Sequence, residues 1–282
     1  MTVLLGAVAY DPKVVTIWDG FRALLGDRGL EFDYLLYSHY ERQVEDLVAG
    51  RIDTAWNSPL AWIRSERLAR ANGARAVPLV MRDTDRDLTS VIVVRADSGF
   101  EKVSDLEGRT VGVGAVDSPQ ATLIPTSFLR AAGLVPGRSV TVRRFDVGVG
   151  LHGDHVGGER DAVRALLAGQ VDAAAIIDTN HLTFGREGTI PAGSTRILAQ
   201  TGPFDHCNLT VLGEPTAQLG HLRDLLLGMS YTDPAVRPLF DLEGLTMWQE
   251  GRASGYGLLT AAVAEAGFYD DAGAVTAPDY RP

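Results

Sequence analysis

Two short segments of the sequence hold side chains whose types and spacing could support chemistry. The first is the glycine-rich segment 150–158, in which His152, Asp154 and His155 offer two imidazoles and a carboxylate within four residues. Imidazole nitrogen and carboxylate oxygen bind Zn²⁺ at about 2.0–2.2 Å. The spacing therefore allows a zinc or other divalent metal site. The alternative is a mobile lid whose histidines contact ligand or solvent.

The second segment is His206-Cys207-Asn208, which contains the one cysteine of the sequence. A thiolate is a strong nucleophile at neutral pH, but it needs a neighbouring base or cation that lowers the thiol pKa. Cys207 and His206 are therefore candidate catalytic residues. Adjacency alone does not pair them, because neighbours in a strand point to opposite faces. A free cysteine is also often simply buried.

Short apolar runs typical of strands alternate with amphipathic helical segments along nearly the whole chain. Residues 3–10, 32–37 and 52–56 are predicted strands, and residues 18–29 and 40–51 are predicted helices. This alternation is typical of an α/β protein with a mostly parallel sheet and helices on both faces. The scheme repeats in the middle of the chain, which favours two α/β lobes with a ligand cleft between them.

Length and charge narrow the possible functions. The 282 residues are enough for one large domain or two lobes. We place the first part of lobe 1 at 1–95, lobe 2 at 96–200, and the return to lobe 1 with the C-terminal helices at 201–282. With 36 acidic and 26 basic residues, the net charge of −10 argues against a nucleic-acid or anionic-membrane partner. A single cysteine excludes an intrachain disulfide.

The start of the sequence bears on localisation. Met1 leads directly into a strand-like run, without the basic segment, long apolar stretch or small-residue cleavage site of a signal peptide. No window reaches the roughly 18 consecutive apolar residues that span a bilayer. We expect a cytoplasmic protein if Met1 is the native start, and a periplasmic or cell-surface protein if a leader has been removed.

Four segments carry a resemblance to a known family, and they are residues 44–62, 103–134, 160–176 and 196–212. In this order they resemble the phosphate/phosphite/phosphonate substrate-binding family of ABC transporters. The resemblance implies the type 2 periplasmic-binding-protein fold, with two α/β lobes, crossover strands and a cleft between the lobes. It also implies a small anionic or zwitterionic ligand that is phosphonate-, phosphate- or carboxylate-like. If the protein is exported, an ABC permease is the implied partner.

The resemblance points to the turn before the predicted helix at 120–132 as a ligand seat. The free N–H groups of a helix amino terminus favour an anion there. The side chains that could bind it are Ser118, Gln120 and Thr122, whereas Pro119 removes one backbone donor.

Further candidate ligand contacts follow from the same resemblance. Arg160 stands where the family usually has a histidine that points into the cleft, and arginine can bind an oxyanion through two parallel bonds. The other candidates lie at strand ends or helix starts, and they are Tyr10, Tyr40, Asn57, Ser58, Asp178, His206 and Asn208.

The sequence leaves functions of different classes open. The first is a solute-binding protein that closes on a small anionic or zwitterionic ligand. The second is a cytoplasmic enzyme on the same fold, a lyase or hydrolase of a small molecule. It would use Cys207 with His206, or a metal at His152, Asp154 and His155. A divalent metal, zinc above all, is the one cofactor that these residues suggest. A regulatory module that senses a ligand without catalysis is the third interpretation.

Overall fold

A computed structural model describes residues 2–282 and arranges them in two β-sheets flanked by helices. The strands are β1 (Val3–Val8), β2 (Phe32–Tyr37), β3 (Thr54–Asn57), β4 (Ala76–Arg82), β5 (Ser90–Arg95), β6 (Thr110–Val113), β7 (Thr141–Arg144), β8 (Ala173–Ile177), β9 (Thr195–Gln200), β10 (Asn208–Leu212) and β11 (Trp248–Glu250). The helices are α1 (Lys13–Asp27), α2 (Tyr40–Val48), α3 (Pro59–Ala71), α4 (Ile124–Ala131), α5 (Gly157–Leu167), α6 (Asp178–Arg186), α7 (Ala217–Leu227), α8 (Arg237–Glu243) and α9 (Gly257–Ala266).

Each sheet is mixed rather than mostly parallel. The first sheet has the order β11-β4-β10-β3-β1-β2, and the second has the order β7-β6-β8-β5-β9. β1 is parallel to β2 and β3, while β10 is antiparallel to β3 and β4. β5 is likewise antiparallel to both of its neighbours, β8 and β9. The prediction of an α/β fold with two sheets is therefore confirmed. The antiparallel strands β5 and β10 each follow a crossing between the sheets, and β11 is also antiparallel to β4.

The two crossings define lobe 1, which holds the first sheet, and lobe 2, which holds the second. The chain crosses to lobe 2 in residues 83–89, between β4 and β5, and returns in residues 201–207, between β9 and β10. The first lobe boundary therefore lies before β5 rather than at residue 95. The physical reason is the sequence of β5, Ser-Val-Ile-Val-Val-Arg, in which residues 90–94 are buried and suit an interior strand of the second sheet.

The second sheet has an apolar core on both faces. Val91 and Val93 of β5 belong to one cluster, whereas Ile92 and Val94 belong to another on the opposite face. Alternate residues of a strand point to opposite faces, so a continuous apolar run requires cover on both sides. The second sheet is consequently covered by apolar side chains on both faces.

A π-helical turn at Pro119–Leu123 precedes α4. The Ser118 side chain accepts a hydrogen bond from the backbone N–H of Ala121 at 3.2 Å, which caps this turn. The predicted single helix at 120–132 is thus divided into a π turn and a shorter α-helix. Single π turns often occur at functional sites because they redirect side chains. Within residues 2–282, no helix is both long and apolar enough to cross a membrane.

Candidate functional site

An open cleft of about 520 Å³ lies between the two lobes. The lining residues come from both lobes and both crossings. In lobe 1 they belong to the loop after β1, the start of α1, the end of β4 and α8. In lobe 2 they belong to the π turn before α4, the segment before α5, the end of β8 and α6. They include Tyr10, Lys13, Arg82, Asp85, Gln120, Asp154, Asn180, His206 and Glu243. Of the sequence candidates, Tyr10, Gln120, Asp154 and His206 line this cleft.

Arg82 is the most heavily paired charge in the cleft. Its Nη2 donates to Asp85 Oδ1 at 2.8 Å and its Nη1 donates to Glu243 Oε1 at 3.2 Å. Burial opposes ionisation of Asp85, but Arg82 lowers the pKa of this carboxyl to about 2. Burial raises the pKa of Glu243, against the opposing effect of Arg82. Two carboxyl groups thus share one guanidinium, and Arg82 offers no surplus positive charge to a ligand.

On the lobe 2 side, the cleft presents acceptors. Asp154 accepts a hydrogen bond from the Tyr40 hydroxyl, and burial raises the pKa of Asp154. Gln120 donates from Nε2 to the carbonyl of Gly153 at 2.8 Å, while its buried Oε1 has no hydrogen-bond partner among the described residues. A buried acceptor without a partner is costly, so it favours a ligand that supplies an N–H or O–H donor.

Asp154 and Gln120 together form an acceptor wall of the cleft, and Glu159 lies behind it. Its Oε2 accepts from the backbone N–H of Ile177 and from Asn180 Nδ2, both at 2.9 Å. Burial raises the pKa of Glu159 to about 7, although these hydrogen bonds and that from Gln120 oppose the effect. A buried carboxyl group with a pKa near neutral therefore lies directly behind the cleft lining.

Lys13 is the lining cation with the least compensation. Its Nζ donates to the carbonyl of Leu242 at 3.3 Å and lies 5.8 Å from the centre of the Tyr10 ring. In residues 2–282 Lys13 forms no ion pair within 4.0 Å, although its charge acts on Glu243. The Lys13 ammonium is consequently available to an anionic group.

The helix start expected to seat an anion is covered by the glycine-rich segment. Gly150 and His152 donate their backbone N–H groups to Asp117 Oδ2 at 2.7 and 3.1 Å. A Cβ on Gly153 would lie 2.5 Å from both Gln120 Nε2 and Ser118 Oγ. Segment 148–155 therefore packs directly on the turn, and Ser118 is buried in its capping role.

Thr122, the third side chain of the expected seat, lines a separate cavity of about 230 Å³. That cavity also contains Arg130, Arg144 and Phe268. The hydroxyl of Thr122 is buried and has no hydrogen-bond partner in the described part of the chain. Of the predicted seat, only Gln120 reaches the cleft between the lobes.

The three metal candidates of the glycine-rich segment point in different directions. His152 is fully buried, with Nδ1 2.7 Å from Ser58 Oγ and Nε2 3.1 Å from Glu41 Oε1. Asp154 faces Tyr40, and His155 Nδ1 accepts the backbone N–H of Gly157. The structure therefore does not bring His152, Asp154 and His155 together around an ion.

His152 instead anchors the segment of lobe 2 in lobe 1. Its ring stacks on Tyr40 with centroids 4.8 Å apart. Burial opposes the charged imidazole, but Glu41 raises the pKa of His152. Burial alone would raise the pKa of Glu41. His152 and hydrogen bonds from tyrosine hydroxyls outweigh this effect and lower the pKa of Glu41 to about 2. A buried ion pair thus joins the two lobes.

Arg160 does not point into the cleft. Its guanidinium pairs with Glu187, donates to Thr189 Oγ1 at 2.9 Å, and lies 4.6 Å from the centre of the Phe184 ring. Successive residues of a helix differ by about 100° in direction. The preceding residue, Glu159, therefore takes the buried position behind the cleft.

The remaining sequence candidates have structural partners. Asn57 Nδ2 donates to Ser65 Oγ at 3.0 Å and to Thr210 Oγ1 at 2.8 Å. Asp178 Oδ2 accepts from the Thr89 hydroxyl at 2.7 Å. Ser58, Tyr40 and Asn208 are buried, with Ser58 capping α3, Tyr40 bonded to Asp154, and Asn208 donating to the Tyr256 hydroxyl at 2.8 Å.

Cys207 and His206 do contact each other. His206 Nδ1 lies 3.1 Å from Cys207 Sγ and 3.5 Å from Asp85 Oδ1. They precede β10, so the opposite-face rule for strands does not separate them. Cys207 is only 2% exposed, and burial together with Asp154 and Asp85 raises the pKa of its thiol well above the ordinary value. The arrangement pairs the thiol but does not activate it as a nucleophile.

Comparison with known proteins adds independent information. The profile of a family described as ABC transporter, phosphonate, periplasmic substrate-binding protein matches residues 7–256. The chain belongs to this family. The family assignment agrees with the resemblance found in the sequence and with the two-lobed fold.

Individual relatives of this phosphonate-binding family are distant. The phosphate-import protein PhnD of Mycolicibacterium smegmatis is 27% identical over 176 residues, which cover 61% of this chain and 50% of that protein. The match thus spans half the length of the curated relative. PhnD1 from Prochlorococcus marinus, solved with methylphosphonate, superposes with a TM-score of 0.70 at 14% identity over 94% of this chain and 98% of that one.

A second solved relative gives the same picture. XAC2383 from Xanthomonas citri, solved with ATP, superposes with a TM-score of 0.71 at 20% identity and covers 94% of this chain and 97% of that one. At this level of identity the two structures confirm the type 2 periplasmic-binding-protein fold. They do not assign roles to the cleft residues of this chain.

Proposed function

We propose that this protein is the solute-binding component of an ABC transporter and that its cleft binds a small zwitterion with a protonated amine and an oxyanion. The observation that carries the proposal is the mixed lining of the cleft. Asp85, Asp154 and Glu243 face the same 520 Å³ space as Lys13 and Arg82. Because Arg82 is shared by two carboxyl groups, the lining has a surplus of acidic groups.

The positive end of the solute meets the acceptor wall. Asp154 and the unpartnered Oε1 of Gln120 are both acceptors, and neither has a cation as its hydrogen-bond partner among the described residues. A protonated amine supplies three donors and one positive charge. Such a group satisfies Gln120 and removes the cost of burying the charge of Asp154.

The negative end of the solute meets Lys13. The Lys13 ammonium is the lining cation that lacks a carboxylate partner, and Asn180 adds a side-chain amide on the facing lobe. The solved relatives support an oxyanion with phosphorus, since PhnD1 was solved with methylphosphonate and XAC2383 with ATP. The covered turn at Ser118 argues that this chain binds such a group elsewhere in the cleft than at that helix start.

Family membership supports the partner and the location. The family is described as periplasmic and as part of an ABC transporter. We infer a membrane permease of that type as the partner and delivery of the solute outside the cytoplasmic membrane as the role. A catalytic role for Cys207 has less support, because the thiol is buried and its pKa is raised.

A matched set of three solutes tests the proposal by thermal shift. The set is 2-aminoethylphosphonate, which carries both charges, ethylphosphonate, which carries only the anion, and ethylamine, which carries only the cation. Ligands that bind the folded state raise the midpoint of unfolding, and at equal concentration the tighter ligand raises it more. We expect the largest shift with 2-aminoethylphosphonate. An equal or larger shift with ethylphosphonate would show that the acidic surplus plays no part in recognition.

A further inference from the structure

Three different metal-binding side chains meet on the lobe 1 side of the cleft. Asp85, His206 and Cys207 each offer one ligand atom, and these atoms all lie within 4.8 Å of one another. Within residues 2–282 this is the one group of three or more such side chains that converge in this way. We propose that Asp85, His206 and Cys207 form a site for a thiophilic divalent ion such as Zn²⁺.

The distances between the donors fit such an ion. His206 Nδ1 lies 3.1 Å from Cys207 Sγ and 3.5 Å from Asp85 Oδ1. Zinc binds nitrogen and oxygen at about 2.0–2.2 Å and sulfur at about 2.3 Å, so the edges of a tetrahedral site measure roughly 3.4–3.6 Å. The two edges that include the imidazole are therefore within a few tenths of an ångström of a tetrahedral site. The third edge, between Asp85 and Cys207, is no longer than 4.8 Å.

The site has an open side. His206 and Asp85 line the cleft, whereas Cys207 lies behind them. Asp85 and Cys207 are only 1% and 2% exposed. An ion held by these three residues keeps a fourth position toward the solvent-filled cleft. Three protein ligands with one open position are typical of zinc sites that also bind water or an exogenous ligand.

Arg82 is the group that competes with the ion. It donates to both oxygens of Asp85, and Oδ1 also accepts the backbone N–H of Cys207 at 3.2 Å. A carboxylate oxygen has two lone pairs. On Asp85 Oδ1 the ion takes the place of the longer hydrogen bond, which comes from the backbone N–H of Cys207. The hydrogen bond from Arg82 Nη2 at 2.8 Å is kept. Glu243 and Asp154 line the same cleft and offset the added positive charge.

The donor set selects the class of metal. A thiolate with an imidazole and a carboxylate favours zinc or cobalt over calcium and magnesium, which prefer oxygen ligands alone. On binding, the sulfur–hydrogen bond of Cys207 breaks, its proton passes to solvent, and the thiolate electron pair binds the ion. No oxidant or reductant takes part. Metal binding by these three residues is independent of the identity of the proposed solute.

Cobalt titration of the untagged full chain, reduced and in the absence of solute, tests the proposal. Co²⁺ substitutes for Zn²⁺ and gives a thiolate-to-cobalt charge-transfer band in the near ultraviolet. Because Cys207 is the one cysteine in the sequence, such a band assigns the ligand without ambiguity. We expect a band that saturates at one ion per chain and is removed by added Zn²⁺.

Two variants and a control locate the site. Cys207→Ser should abolish the band, and His206→Gln should weaken Co²⁺ binding roughly tenfold or more. His221→Gln changes an exposed histidine on α7 and should leave the titration unchanged. Circular dichroism establishes that each variant is folded. The proposal fails if the wild-type chain gives no charge-transfer band at saturating Co²⁺, or if His206→Gln binds Co²⁺ as tightly as the wild type. Solute binding measured with EDTA present is unaffected by either result.

Discussion

The buried ion pair of His152 and Glu41 should set the acid stability of the protein. The pKa of Glu41 falls from an ordinary 4.5 to about 2. A shift of this size corresponds to about 3 kcal/mol of folding stability. Because the folded-state pKa is lowered, this contribution is present above pH 4.5 and is lost as the pH falls toward 2.

The substitution Glu41→Gln removes the charge and retains the shape. At pH 6 it should lower the free energy of unfolding by about 3–5 kcal/mol, because His152 is left buried without its counter-ion. At pH 2 the part of the difference that depends on charge should fall to roughly 0.4 kcal/mol. Glu41 is then neutral in the unfolded state and about half protonated in the folded state. His152 sets the upper limit of the pH range in which the ion pair stabilises the fold. Its pKa is raised, so its contribution is complete below pH 6.5 and declines as the pH rises through the raised value.

Urea unfolding at several pH values between 2 and 8 measures these differences. Glu265→Gln is a matched control, because Glu265 is exposed on α9. It should follow the wild type at every pH. A Glu41→Gln penalty that stays constant from pH 6 to pH 2 would refute the reasoning, since a constant penalty is the signature of lost packing rather than of a lost charge.

The remaining predictions concern the cleft and the segment that covers the helix start. Burial raises the pKa of Glu159 to about 7, so the wild type should lose stability relative to Glu159→Gln as the pH rises from about 4.5 to 7, which urea unfolding at those two values would detect. Equal slopes for the two proteins would count against the buried carboxyl. Gly153→Ala should cost about 1–3 kcal/mol more than Gly188→Ala, because both glycines have positive φ but only Gly153 would place a Cβ 2.5 Å from Gln120 and Ser118. Equal midpoints of thermal unfolding would show that segment 148–155 does not pack on the turn. Ser58→Ala removes the cap of α3 and the partner of His152 Nδ1, and it should cost about 2–3 kcal/mol in urea unfolding. A loss below about 0.5 kcal/mol would mean that neither bond matters.

The sequence predicts the fold well because its signals are local. Alternating apolar runs locate β2 at residues 32–37 as observed, and Pro59 after Ser58 marks the start of α3. The mixed sheets were not predicted, because the direction of β5 and β10 depends on how the chain crosses between lobes. β11 was missed since it is only three residues long, Trp248–Glu250.

The site was only partly predictable. Gln120 and His206 were predicted as ligand contacts and Asp154 as a metal ligand, and all three line the cleft. Their partners come from distant parts of the chain. Arg82 and Asp85 lie where β4 ends and the chain leaves lobe 1, a position that could have indicated them. Glu243 gives no such local signal, because only tertiary packing of α8 brings it to Arg82. Arg160 was predicted to contact the ligand, but it points away from the cleft, and the preceding residue, Glu159, lies behind the cleft lining. The spacing of residues alone does not show which of two neighbours on a helix faces the cleft.

The central claim is that opposite charges in the cleft select a zwitterion, and isothermal titration calorimetry tests it most directly. The quantity is the ratio of dissociation constants for ethylphosphonate and 2-aminoethylphosphonate, measured with EDTA present. We expect a ratio of roughly ten or more for the wild type, since a hydrogen bond to a charged group contributes about 1.5–3 kcal/mol. Asp154→Asn should bring the ratio near one, whereas Lys13→Gln should weaken both ligands. A wild-type ratio of one or below would contradict the account.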